Sequence, residues 1–283
     1  MGALSILFKR PDFRSNPIAA IYKRLWWRIR WTFTNKPWQL KLRNGLSISA
    51  PKGGAGALIY YQGNAEPELA SFISRTLKPG MTFWDIGSHI GEYALVASPL
   101  VTETGRVEAF EPQPAMFEFL RENVTRNGLV NTTVHDVAIS NQTGVVQMSL
   151  PVEPSIACLQ LGPTASDLPS VNVTTAPLDA IHAITERTPD LIKVDVEGAE
   201  LLVLNGAQEL LDLPGLDAPM WVMEYEPDNC LAFGYQAGDL LTKFRAHGLF
   251  TYWLTPAGRS ELILDANPPA GIRTVIATKG PRP

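Results

Sequence analysis

The sequence predicts an α/β domain on a Rossmann-like, mostly parallel, doubly wound sheet of seven strands, preceded by a basic helix and a β-hairpin. Three observations predict it. Short apolar runs alternate with segments of helical period along most of the chain, as parallel sheets require. Phe83-Trp84-Asp85-Ile86-Gly87-Ser88-His89-Ile90-Gly91 reads as a strand that stops at an acid, turns through glycines and opens a helix. The next run, Arg106-Val107-Glu108-Ala109-Phe110, leads into Glu111. That acid stands about twenty residues past Gly91, the distance at which a carboxylate grips ribose hydroxyls in such sheets.

The other elements follow from local punctuation. Trp38–Arg43 and Leu46–Ser49 alternate around Asn44-Gly45, the signal of a two-residue hairpin. Gly53-Gly54-Ala55-Gly56 lacks the strand-then-helix context of a phosphate loop and reads as a flexible connection. Residues 66–77 read as a helix ending before Pro79-Gly80. Strands are expected near 81–85, 106–110, 132–138, 190–195, 220–225, 249–254 and 272–278. Helices are expected near 91–99, 113–126, 177–186, 198–211 and 236–247. Pro151–Ser170 has no clean period and reads as a long loop, either a substrate-side flap or an inert insertion. The chain divides accordingly into a basic extension, 1–60, and a catalytic domain, 61–283.

Composition narrows the class. With 283 residues and 45% hydrophobic content, one large α/β domain is affordable. Cys158 and Cys230 form no C-x-x-C pair, so neither a disulfide framework nor a zinc site is expected, and a reducing, cytoplasmic setting is. The Asn-x-Thr triplets at Asn123, Asn131, Asn141 and Asn172 then read as chance. No run is long enough to span a membrane, Met1–Phe8 is too short for a signal peptide, and Ile6 stands where a myristoylation motif needs Ser or Thr. Charge is uneven: residues 1–45 hold ten Lys/Arg against Asp12, a balance of +9, which leaves −13 on the remainder. That acidic body argues against a long nucleic-acid track. On a helical wheel Ile18, Tyr22, Leu25, Trp26, Ile29 and Phe33 share one face, with Lys23, Arg24, Arg28 and Arg30 off it. Such a helix suits an anionic membrane surface, or packs on the catalytic domain or a partner subunit, which leaves a homo-oligomer open.

The turn after the first strand selects the ligand. A dinucleotide fold needs G-x-G-x-x-G, whereas here Asp85 replaces the first glycine in Asp-x-Gly-x-x-x-Gly. A carboxylate repels a pyrophosphate but attracts a cationic, phosphate-free ligand, and S-adenosylmethionine is one. In that reading Gly87, Ser88, His89 and Gly91 approach its methionine end and Glu111 takes the ribose diol. Asp136 and Val137, at the end of the third strand, lie beside the adenine. Glu66 reaches the ammonium or simply starts a helix.

A second block, Asp190-Leu191-Ile192-Lys193-Val194-Asp195-Val196-Glu197-Gly198-Ala199-Glu200 through Ala207, resembles the signature of the FkbM family of methyltransferases. Glu66-Pro67-Glu68, Leu77-Lys78-Pro79-Gly80, the Asp85 turn and Glu111-Pro112 resemble its lead-in. Residues 134–140 and 175–179 are similar to its intermediate blocks. The resemblance implies a class I methyltransferase fold, S-adenosylmethionine as donor, and sugars, glycan ends or polyketide-type products as acceptors. His89 stands where the family usually has Asn, which leaves open whether it orients the ligand or also handles protons.

Methyl transfer from a sulfonium is an in-line displacement that needs alignment and removal of the acceptor's proton. Asp195 and Glu197 are the candidates, as general base, as hydrogen-bond partners of acceptor or donor, or as ligands of a divalent ion; Glu200 reads as a helix N-terminal acid. Asp195 with Glu224 or Glu226 would offer oxygen ligands to Mg²⁺, but no spacing rule supports a metal site. The rival readings are a nicotinamide-dependent oxidoreductase on a similar sheet and a non-catalytic scaffold.

Overall fold

The computed structural model describes residues 11–150, 158–159, 169–185, 187–258, 260–263, 266–269 and 271–280. The chain falls into two units, Met1–Pro67 and Glu68–Pro283.

The first unit opens with α1 (Pro11–Ser15) and α2 (Pro17–Phe33). Asn16 starts α2: its side-chain oxygen accepts the Ala19 N–H at 3.0 Å, and Pro17 takes the first position, where an N–H has no partner anyway. Strands β1 (Trp38–Lys41) and β2 (Ser47–Ala50) pair antiparallel. Their turn holds three residues, not the expected two. Leu42 N–H reaches Leu46 O, and Gly45 at φ +86° returns its N–H to Leu42 O. A two-residue Asn-Gly turn needs both residues left-handed, and here only Gly45 is. The glycine-rich stretch is no flexible connection either, since it opens α3 (Gly54–Gln62). A Cβ on Gly56 would sit 2.8 Å from the Ala50 Cβ, so the bare backbone lets α3 lie on the hairpin. Trp27 stacks on Trp38 and Tyr60 with ring centroids 5.6 Å apart in each case. The buried face of α2 is thus Ala20, Trp27 and Trp31, opposite the face picked out by the helical wheel.

The second unit begins with α4 (Pro67–Thr76), β3 (Thr82–Ile86), α5 (Glu92–Val101), β4 (Arg106–Phe110), α6 (Pro114–Arg126) and β5 (Thr132–His135). A small sheet follows from β6 (Ala138–Ile139), β7 (Gly144–Ser149), β8 (Cys158–Leu159) and β9 (Ser170–Ala176). The chain then returns through α7 (Leu178–Thr185) to β10 (Leu191–Val194), α8 (Glu200–Asn205), α9 (Gln208–Asp212) and β11 (Met220–Glu224). It closes with α10 (Pro227–Ala232), α11 (Ala237–Ala246), β12 (Phe250–Leu254), β13 (Ser260–Leu262) and β14 (Thr274–Thr278). The large sheet runs β13-β12-β14-β11-β10-β3-β4-β5, with the five strands from β11 to β5 parallel. All seven expected strands are in it, and β13 adds an antiparallel eighth. The chain winds outward from β3 to β5, then crosses back to β10 on the other side of β3. In doubly wound sheets ligands bind at such a reversal, here at the carboxyl ends of β3 and β10.

Every residue of β3 and β10 is buried, as expected where helices cover both faces. One face packs Trp84, Ile86, Phe110, Ile192, Val194 and Trp221 into the main core with α7, α8 and α11. Two expected elements are divided. Residues 132–138 leave the large sheet at Asp136-Val137 and re-enter the small one as β6. The helix expected over 198–211 breaks at Gly206, where a Cβ would lie 2.1 Å from Ser140 O. Most of the expected 151–170 loop lies outside the described residues.

Candidate active site

Register decides what the strand-end acids meet. Lys193 on β10 is the lateral neighbour of Asp85 on β3, so both side chains emerge on the same face. Both are buried, with the ammonium 3.4 Å from Asp85 Oδ1 and 3.4 Å from Asp195 Oδ2. The ammonium also donates to Gly87 O at 2.8 Å and lies 5.4 Å from the Tyr93 ring centroid on α5. Among the described residues, neither Asp85 oxygen meets an aligned hydrogen-bond donor. Burial raises the Asp85 pKa, with Lys193 pulling it back. Sequence reasoning passed over Lys193. The signal was there: a lone cation inside a strand that is otherwise apolar and central.

The turn after β3 is held from several sides. Ser88 Oγ donates to Asp85 O at 2.6 Å, and Gly87 and Ser88 N–H groups both reach Phe110 O. Gly87, at φ +75°, owes its identity to the protein itself, because a Cβ there would fall 1.8 Å from Asp195 O. Gly91, at φ +88°, likewise faces Leu120 on α6, 2.7 Å from where its Cβ would be. The buried Asn123 amide donates to Ile90 O at 2.9 Å, a support that no motif announced.

Glu111 stands at the tip of β4. One carboxylate oxygen accepts the His89 N–H and the other the Gln113 N–H, each at 2.8 Å. The group is nearly enclosed, and burial pushes its pKa up to about 7 against the pull of those two donors. Each oxygen keeps a lone pair for a hydroxyl donor. His89 is left-handed at φ +51°, and burial lowers its pKa to about 4, so it is neutral at pH 7. Pro112 is half-buried beside Glu111.

Beyond β10, Asp195 is one-third exposed and bonds its N–H to Ile86 O at 3.1 Å. The strand stops at Val194 and Glu197 is left-handed at φ +54°, so simple strand alternation does not carry through the turn. Glu197 is nevertheless close enough to Asp195 to feel it. Burial first, then the Asp195 charge, raise its pKa to about 7. Asn229 Nδ2 holds Glu197 Oε2 at 3.0 Å. Glu200 has the expected structural role: Oε1 accepts the Val196 and Gly198 N–H groups, each at 3.2 Å, and so ties the turn into α8.

Asp136 is exposed, while Val137 is half-buried against the main core. Glu66 belongs to the first unit, immediately ahead of α4. His135 packs into the sheet, stacked 4.6 Å from Phe110 and bonded to Glu108 at 2.7 Å. His182 meets Thr188 and His247 meets Asp212. Glu226 pairs with Arg273 at 2.5 Å, and among the described residues no group of three His, Cys, Asp or Glu could hold a metal ion.

The fold is an α/β domain on a Rossmann-like, mostly parallel sheet, and at the carboxyl ends of its strands Asp85 and Asp195 flank one buried ammonium, with Glu111 and Glu197 near enough to feel its charge. A cationic, phosphate-free ligand fits that balance and a pyrophosphate does not. The model of the methyltransferase FkbM domain matches residues 85–249, and the chain belongs to the FkbM family of S-adenosylmethionine-dependent methyltransferases. It is 34% identical over 130 residues to the hexuronic acid methyltransferase AglP of Haloferax volcanii, a match spanning 45% of this chain and 50% of that protein. It is 27% identical over 248 residues to the 31-O-demethyl-FK506 methyltransferase FkbM of Streptomyces tacrolimicus, covering 74% of this chain and 87% of that one. A crystal structure of a methyltransferase FkbM from Methylobacillus flagellatus superposes with a TM-score of 0.44 at 17% identity, over 79% of this chain and 54% of that chain.

Proposed function

We propose that this chain methylates a hydroxyl oxygen of a sugar, a glycan or a related natural product. The observation that carries the reading is Glu111, whose two oxygens are fixed by backbone donors at the tip of β4 with lone pairs to spare. That is the group a ribose diol needs. Asp136 and Val137 flank the adenine side. The names of two relatives support a hydroxylated acceptor, one a hexuronic acid and the other 31-O-demethyl-FK506.

S-adenosylmethionine brings a methyl group already activated on a sulfonium, so the protein aligns the acceptor and takes its proton. Glu197 is the base in this reading: its pKa of about 7 suits proton abstraction at neutral pH, and Asn229 fixes its orientation. Asp195 orients the acceptor and keeps Glu197 basic by repulsion. Neutral His89 lends its N–H to Glu111 and its ring to the pocket wall. Lys193 holds Asp85 and Asp195 in place without approaching the acceptor. A cytoplasmic setting agrees with the buried free thiol of Cys230.

The test is transfer of labelled methyl from the donor to a panel of uronic acids, glycans and polyketide alcohols. Wild type should label at least one hydroxyl, Glu111→Ala should lose donor binding, and Glu197→Gln should lower kcat with little change in KM. Calorimetry that registers NAD(H) but neither S-adenosylmethionine nor S-adenosylhomocysteine would overturn the reading.

A further inference from the structure

Seven of the thirteen large apolar side chains most exposed among the described residues lie on the single helix α2. They are Ile18, Tyr22, Leu25, Trp26, Ile29 and Phe33, joined by Ile21, and the two end residues Ile18 and Phe33 are 80% and 83% exposed. At ~100° per residue these seven form one continuous stripe. The buried Ala20, Trp27 and Trp31 lie diametrically opposite, stacked on the hairpin and α3 within the first unit. Tertiary packing has therefore already been satisfied by the other face. The stripe is too large to be scattered surface apolarity.

Cations occupy both margins. Arg24 and Arg28 fall on one side of the stripe, Lys23 and Arg30 on the other. Arg24 is paired with Asp12, whereas among the described residues Lys23 and Arg30 hydrogen-bond to carbonyls, of Tyr61 and of Lys36 and Pro37, rather than to a carboxylate. Arg28 is exposed, as are Lys36, Lys41 and Arg43 nearby. We infer that α2 is an interfacial helix that docks the chain on an anionic lipid bilayer, its stripe among the acyl chains and its basic margins at the headgroups. An apolar stripe bordered by cations matches a surface that is hydrocarbon beneath and negative above. A second copy of the chain would cover the stripe but would set two strongly basic surfaces against each other. No described helix is long and apolar enough to cross a membrane.

Flotation of the full-length protein with vesicles tests this, using phosphatidylcholine alone or mixed with phosphatidylglycerol, at low and high salt. Wild type should float with the anionic vesicles, weakly with the neutral ones, and less at high salt. Leu25→Glu/Ile29→Glu, on exposed positions, should bind about 100-fold more weakly. Phe33→Ser, in the last turn, is a milder companion should the double variant misfold, and should weaken binding about tenfold. No flotation by wild type, equal flotation of folded variants, or indifference to lipid charge would each overturn the proposal. So would light scattering that shows a wild-type dimer converted to monomer by Leu25→Glu/Ile29→Glu, with neither form floating.

Discussion

The turns that follow β3 and β10 have the same outline and different interiors. Each has an acid close to the end of its strand, Asp85 one residue before the end of β3 and Asp195 one residue past β10, and passes through a left-handed non-glycine residue, His89 or Glu197, to enter a helix. Only one other described residue besides glycine is left-handed, so the strain is concentrated where a ligand would sit. After β3 the acid is sealed in, facing a buried ammonium, and the Gly87 and Ser88 N–H groups are tied to β4. After β10 both carboxylates are partly open, and they are steadied by single side chains. A sealed turn supplies a fixed electrostatic floor, while an open one supplies groups that can meet substrate and change protonation.

Lys193→Met should disturb the comparison most. It removes the cation shared by both turns and leaves a buried carboxylate uncompensated, so denaturant unfolding at pH 7 should show a loss of about 3–5 kcal/mol. Adding Asp85→Asn should recover much of it. An unchanged midpoint in the single variant would mean that the two turns are not joined through this ammonium.

Next in size is the pH response of Glu111. Its folded pKa, about 7, lies above the ordinary 4.5, so between those values the folded state binds more protons than the unfolded. Stability of the ligand-free protein should therefore fall as pH rises from about 4.5 to 7, by on the order of 3 kcal/mol, and level off above. Hydroxyl donors favour the ionised carboxylate, so affinity for S-adenosylhomocysteine should climb over the same window. Glu111→Gln should flatten that climb and shrink the stability change, leaving what other groups contribute. Calorimetry and thermal melts across pH 4.5–8 check both.

Gly87→Ala should cost roughly 2 kcal/mol or more, because the new methyl needs the space of Asp195 O and the backbone is left-handed. The loss should appear in both thermal stability and donor affinity, since the shift displaces one turn against the other. The smallest effect is expected at Glu197→Gly. Relief of the left-handed backbone should roughly balance the lost bond to Asn229, giving a stability change within about 1 kcal/mol. Methyl transfer should nevertheless collapse. A variant that keeps full turnover would show that the open turn is not the catalytic one.

The large sheet was legible because a strand buried on both faces must be a nearly unbroken apolar run, and 82–86 and 191–194 approach that, each broken by one charged residue. Glu111 and Asp195 were legible for the complementary reason that a carboxylate is most readily accommodated where such a strand ends. Other features depended on neighbours distant in sequence. The break at Gly206 exists because Ser140 passes there, and the residues 132–138 divide because β6 finds β9 rather than continuing beside β4. The three-residue hairpin turn reflects a local competition between turn types that one dipeptide does not resolve.

By itself the sequence determined the kind of sheet, the positions of Asp85, Glu111, Asp195 and Glu197 at strand ends, and the basic, aromatic character of the first forty-five residues. Periodicity and charge are local properties and survive without a fold. Only tertiary structure decided that Lys193 sits between Asp85 and Asp195, that Gly87 is required by the Asp195 carbonyl, and that Trp27 and Trp31 turn inward while Ile18 to Phe33 turn out. Those outcomes depend on register between strands 108 residues apart and on which of two apolar helix faces gains more by packing, and neither quantity is written in any single stretch of chain.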